Sequence, residues 1–172
     1  IIPYNKTLVL NSGQKIHFKN ESGIILNGDS FFNGTPLKPI NFLGDKTNGA
    51  GFILAIGSSE VMMKNVNFIN LSSLDRFDIP GSVTFYNSKV DLKNVNFYNN
   101  FSEDYLNFIK TKFSLKNVVF ENCNSDCFDA DFSKGKLLNV KFNVSGNDGL
   151  DVSESEININ NIYFNKIGDK AI

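Results

Sequence analysis

Aspartates recur at one spacing in the C-terminal half of this 172-residue chain. Asp126 and Asp129 stand in "SDCFDAD", with Asp131 two places on, and Asp148 and Asp151 stand in "GNDGLD". Carboxylates grouped this way can act in three ways. An acid and a base held roughly 6.5–9.5 Å apart hydrolyse a glycosidic bond with inversion. Several carboxylate oxygens together hold a hard cation such as calcium. A turn aspartate can also hydrogen-bond its own backbone, which is structural and needs no ligand. Asp104, Asp126, Asp148 and Asp169 lie 22, 22 and 21 residues apart, so a repeating backbone carries them whatever their chemistry.

That repeat is legible in the apolar residues. "VMMKNVNF" (61–68), "VDLKNVNF" (90–97), "FSLKNVVF" (113–120) and "GKLLNVKF" (135–142) align without gaps, and Ile157, Ile159, Asn161, Ile162 and Phe164 continue them. Each copy alternates apolar and other residues on both sides of an asparagine, which predicts two short strands sharing one interior and joined by a bend. Asparagine tolerates the left-handed backbone such a corner needs. "KIHF" and "PINF" extend the series, so that Phe18, Phe42, Phe68, Phe97, Phe120, Phe142 and Phe164 recur at intervals of 22–29 residues. A third strand precedes each late phenylalanine, with Val83 and Phe85, Leu106 and Phe108, Phe128 and Ala130, and Leu150 and Val152 facing inward.

Short strands at this period, with no helical pattern, predict an all-β solenoid of about seven coils, three strands to a coil, stacked in parallel about 4.8 Å apart. The phenylalanines then stack inside, and Asn65, Asn94, Asn117, Asn139 and Asn161 form a ladder at one corner. With these features the chain resembles the right-handed parallel β-helix repeat proteins of the pectate-lyase-like superfamily. That architecture carries lyases, glycosidases, epimerases, adhesins and tailspikes, so the resemblance implies a fold more than an activity.

In this frame the acids gather on one edge of the C-terminal coils. Asp104, Asp126, Asp148 and Asp169 fall in the turn before the third strand, and Thr84, Asn107, Asp129 and Asp151 follow on its outer face. The candidate calcium ligands are Asp126, Asp129, Asp148 and Asp151, and calcium is the one cofactor the residues suggest. The candidate substrate-binding residues are Asp129, Asp131, Asp151, Asn107 and Lys170. "NDGLDVS" followed by "IGDKAI" further resembles the polygalacturonase-type pattern, in which an Asn-Thr-Asp-Gly-x-Asp turn precedes a Gly-Asp-Asp turn by one coil. That resemblance implies Asp148 and Asp169 as catalytic acids. The chain departs from it where no threonine separates Asn147 from Asp148, where Lys170 replaces the second acid of the pair, and where the downstream His-Gly and Arg-x-Lys motifs have no counterpart. A lyase or epimerase would instead set a cation against a uronate, with Lys166 or Lys170 as the base. The non-catalytic alternative is a glycan-binding surface or a spacer, with outward Tyr86, Tyr98 and Tyr163 available to stack on sugars.

Composition narrows the partners. Lysine and arginine together number 17 against 18 acids, with Arg76 the single arginine, so no basic stripe is expected and nucleic acid is not an expected partner. No apolar run approaches the ~20 residues of a membrane-spanning helix. Six Asn-x-Ser/Thr sequons occur in a chain rich in both residue types. Cys123 and Cys127, four apart, form no disulfide framework and are expected as two thiols. His17 reads as a surface residue, and "SSLDRFDIPGS" (72–82) as a surface loop. Neither end carries an evident cap, so a single domain over 1–172, continued by further coils or domains, is expected. The whole points to an extracellular or cell-surface β-helix whose partner is a polysaccharide or surface glycan, in a binding or scaffold role, or as an enzyme built on the acidic edge.

Overall fold

A computed structural model describes residues 1–20, 22–57, 60–73 and 81–172. Most of the expected loop at 72–82, with Arg76, lies outside the described residues. Among those residues no helix occurs, and none is long and apolar enough to cross a membrane. The strands are β1 (Leu8–Asn11), β2 (Lys15–His17), β3 (Gly23–Leu26), β4 (Ser30–Asn33), β5 (Ile40–Leu43), β6 (Phe52–Ile56), β7 (Val61–Ile69) and β8 (Gly81–Tyr86). They continue as β9 (Lys89–Tyr98), β10 (Asp104–Ile109), β11 (Lys112–Cys123), β12 (Asp126–Asp131), β13 (Lys134–Ser145), β14 (Leu150–Ser153) and β15 (Glu156–Ile167).

Every strand pairs in parallel with its counterpart one coil away, giving a β-helix of about seven turns. One sheet runs β1-β4-β7-β9-β11-β13-β15, with β2 and β5 beside it, and the other runs β14-β12-β10-β8-β6-β3. Each long strand of the first sheet bends at its asparagine. Asn65, Asn94, Asn117, Asn139 and Asn161 all have φ between 50° and 58°. Their side chains form the expected ladder, each Nδ2 donating to the Oδ1 of the asparagine one coil earlier, from Asn94 on Asn65 at 3.1 Å to Asn161 on Asn139 at 2.8 Å.

Two further corners also use the left-handed region. Asn70, Asn99, Asn122, Val144 and Lys166 form one column, and Asn87, Lys110, Phe132 and Glu154 the other. Three corners per coil make the triangular section, with two straight segments of each coil inside one bent strand. The alternation closes the interior as expected. Successive rings from Phe42 to Phe164 lie 4.7–5.1 Å apart and stack nearly parallel. Each buried ring contributes on the order of 2 kcal/mol, with about 1 kcal/mol more from its stacked neighbour. Val83, Phe85, Leu106, Phe108, Phe128 and Ala130 are fully buried from the other sheet.

Two expectations are corrected here. Cys123 and Cys127 form a disulfide and are not two thiols. Cys123 ends β11 just past the Asn122 corner and Cys127 begins the next side, so the chain doubles back and brings their Cα atoms to 5.2 Å. No basic stripe is expected from the composition, yet the register collects seven of the sixteen lysines on one outer face of β7, β9, β11 and β13, with Asp91 among them.

Candidate functional site

Two acidic columns run across β10, β12 and β14. The strand column is Thr84, Asn107, Asp129 and Asp151, each paired in register with the next. The turn column is Asp104 over Asp126, with Asp148 one coil further. Both exist because each coil repeats one spacing, Asp104 to Asn107, Asp126 to Asp129 and Asp148 to Asp151, and the parallel register stacks like over like.

The turn column does not make turns with its own backbone. Asp126 Oδ1 accepts the Asp148 N–H at 2.8 Å and the Asn147 side-chain amide at 2.8 Å. Asp148 Oδ1 accepts the Lys170 N–H at 2.9 Å. The Asp126 and Asp148 carboxylates thus each clamp the following coil, a role that accounts for these two without a ligand. Own-backbone capping of the expected kind does occur at Asp45, whose Oδ1 accepts the Thr47 N–H.

Asp169, expected in the same column, stands one place off it. Lys170 lies over Asp148, while the Asp169 N–H donates to the Asn147 carbonyl. The last interval is therefore 22 residues like its predecessors, and it ends on a lysine. The Lys170 ammonium lies 2.6 Å from Asp169 Oδ2 and 3.6 Å from Asp148 Oδ2. The hydrogen bond it donates to Asp169, then the charges of Asp148 and Asp169, raise its pKa. The two candidate catalytic acids hence share one ammonium.

Of the four candidate calcium ligands, Asp126, Asp148 and Asp151 each bring an oxygen to within 4.8 Å of the others. Oxygen donors at that separation suit a hard cation, although one oxygen on each of Asp126 and Asp148 already holds a backbone N–H. Asp129 stands outside this trio, turned toward β10.

There the geometry is tighter. Asn107 Nδ2 donates to Asp104 Oδ2 at 2.9 Å and to Asp129 Oδ2 at 2.6 Å. Asn107 is 1% exposed, and among the described residues its Oδ1 has no hydrogen-bond partner. Burial raises the Asp104 carboxyl to about 7, against the hydrogen bond from Asn107 and with help from the Asp126 charge. Burial, then the charges of Asp104, Asp131 and Asp151, raise Asp129 to about 8. Asp131 is raised by its burial and by Asp151 and Glu154. Near neutrality Asp129 therefore retains a proton.

The expected outer face is only partly open. Thr84 and Asn107 are buried, Asp129 and Asp131 half-buried, and Asp151 exposed, so the column emerges toward the C-terminal coils. Alternation placed these side chains on the correct face and could not reveal what covers them. Asp104, the third member of the Asn107 cluster, was visible only as a turn aspartate; its partner three residues on is the asparagine variant of an Asp-x-x-Asp spacing.

Among the aromatics, Tyr86 and Tyr163 are exposed, the Lys110 ammonium lies 5.9 Å from the Tyr86 ring centre, and His17 is exposed. No family model matches the chain, and no curated protein or solved structure matches it either.

Proposed function

We propose that this chain is a polysaccharide-binding module of the extracellular space or cell surface, built on a right-handed β-helix of the pectate-lyase-like kind, with the acidic face of β10, β12 and β14 as its glycan surface. The carrying observation is the strand column, in which Asn107, Asp129 and Asp151 stand in register on successive coils with Asp131 beside them. Sugar hydroxyls are hydrogen-bond donors, and the carboxyl oxygens of Asp129, Asp131 and Asp151, on two successive coils, offer acceptors along an extended chain, with Asn107 buried behind them. Lys170 closes the C-terminal end of the row with a donor for ring or carboxylate oxygens. The disulfide supports an oxidising compartment. Calcium at Asp126, Asp148 and Asp151 would extend the surface to uronates by neutralising their charge.

The test is retention of the chain by immobilised neutral and acidic polysaccharides, with calcium and then chelator, beside Asp129→Asn/Asp151→Asn. Loss of neutral-glycan retention in the double variant, with the fold intact, is the expected result. Equal retention by both proteins would remove the acidic face from the function.

A second reading, a polysaccharide-degrading or modifying enzyme, is favoured by one observation. Asp129, raised to about 8, holds a proton near neutral pH, and Asp151 lies beside it in register, which is how a general acid and its partner carboxylate are set apart. The polygalacturonase-type pair fits less well, because Asp148 and Asp169 both engage Lys170. New reducing ends on incubation with a glycan would mark a hydrolase, and an ultraviolet-absorbing unsaturated uronate a lyase.

A further inference from the structure

The lysines gathered on the first sheet form the molecule's other charged face. Lys89, Lys112 and Lys134 stand in register on β9, β11 and β13, and Glu156 follows Lys134 on β15. Glu60 pairs with Lys89 at 2.8 Å and Glu156 with Lys134 at 2.6 Å. The two ends of the column are thereby neutralised. Lys112, between two lysines, has no carboxylate partner among the described residues. Two places along, Asp91, Ser114 and Lys136 form a parallel column, and beyond it Lys64, Lys93 and Lys116 form a third. Around Lys112 this surface is hollowed into an open groove of about 440 Å³, floored by Val90, Phe113 and Gly135, a volume within the range of small-ligand sites.

Like charges held one coil apart repel, and a solenoid that aligns them without interposing an acid leaves a standing demand for an anion. We infer that this groove is a second glycan site, selective for acidic polysaccharide: a sugar carboxylate or sulfate sits on Lys112, the lysine of the column left without an acid, and the chain runs along the stack. The inference rests on the polysaccharide reading for the class of polymer, but on a different face and on opposite charge. A glycan fits the groove better than a nucleic acid does. Asp91, Ser114 and Asn158 in its lining accept hydrogen bonds from sugar hydroxyls. Met62, exposed in the lining, offers an apolar side chain to the C–H face of a sugar ring, and the groove lining has neither an arginine nor an exposed aromatic ring to stack on a base.

The experiment is affinity electrophoresis of the whole chain through gels containing polygalacturonate, dextran sulfate or unmodified dextran, with single-stranded DNA as a competitor. The variants are Lys112→Glu, Lys112→Ala and Asp129→Asn/Asp151→Asn. Lys112→Glu sets a carboxylate between two ammoniums and does not threaten the fold. It should weaken binding to a charged glycan by roughly tenfold or more, Lys112→Ala should do so less, and salt should weaken the native protein. Retention by polygalacturonate alone assigns a carboxylate ligand, and by dextran sulfate alone a sulfate. The acidic-face double variant should keep charged-glycan binding, so failure of the acidic-face reading leaves this one standing. Charged-glycan binding unchanged in Lys112→Glu, no binding to either charged gel, or DNA competing as well as the glycan itself would overturn it.

Discussion

The amide of Asn107 bridges two carboxyls, with Nδ2 2.6 Å from Asp129 Oδ2 across the coil and 2.9 Å from Asp104 Oδ2 on its own strand, while among the described residues its Oδ1 meets no donor. One amide group thus serves two acids that burial has already pushed toward their neutral forms. A half-turn of the amide would offer Oδ1 in place of the donors, and a protonated carboxyl would then be the group to satisfy it. Protonation and hydrogen bonding are therefore linked at this point of the fold.

Stability should fall as pH rises through this cluster. Asp104 and Asp129 have folded-state pKa values of about 7 and about 8, above the unfolded value of 3.8. Between these limits the folded chain binds protons that the unfolded chain has released, so unfolding becomes easier with rising pH. Their contribution is fully present below pH ~4, is lost progressively up to pH ~8 and is level beyond. Thermal unfolding followed at pH 5 and pH 8 should show a drop on the order of 5 °C or more for the native chain. Asp104→Asn/Asp129→Asn should show a much smaller drop. Equal drops in the two proteins would mean that these carboxyls are ionised throughout.

Asn107→Asp is the complementary change, isosteric but placing a third carboxyl in the cluster. At pH 8 it should destabilise by roughly 2–4 kcal/mol, because it removes the donor and adds a buried charge. At pH 5, where the carboxyls hold their protons, the penalty should shrink. Denaturant unfolding at both values measures it, and a penalty independent of pH would show that packing at position 107 matters and its charge does not.

These features were unequally legible in the sequence, for physical reasons. The phenylalanine stack and the Asn65 to Asn161 corner rest on two local signals, alternation with period 2 and a residue at ease with positive φ, and both survive without knowledge of neighbours. The Asn70, Asn99, Asn122 corner carries the same signal but is broken by Val144 and Lys166, so the column shows only in the backbone. The Asp column was legible as a repeat, while its last position falls on Lys170, one residue past the aspartate that the pattern of acids picks out. The disulfide needed the corner at Asn122 to be known first. The burial of Asn107 depends on what packs over an outer face, which strand alternation does not encode. The basic face draws lysines from 64 to 136, separated by whole coils, and only the register makes them neighbours.

Val144 is where the sequence conflicts with its own repeat, and changing it should strengthen the fold. It holds φ at 61°, in register over Asn122, although a β-branched side chain is disfavoured there. Below it, Asn122 Nδ2 donates to Asn99 Oδ1 at 3.1 Å, and Asn99 Nδ2 to Asn70 Oδ1 at 3.0 Å. An asparagine at 144 would ease the backbone and extend that ladder onto Asn122 Oδ1. Val144→Asn should stabilise by about 1–2 kcal/mol, raising the unfolding midpoint by roughly 2–6 °C. Val144→Gly relieves the same backbone without supplying the amide and loses chain entropy, so it should gain less or nothing. Both midpoints come from one thermal series. If Val144→Asn lowers the midpoint, the apolar contacts of the valine outweigh its backbone strain, and the corner column is held by packing more than by its asparagines.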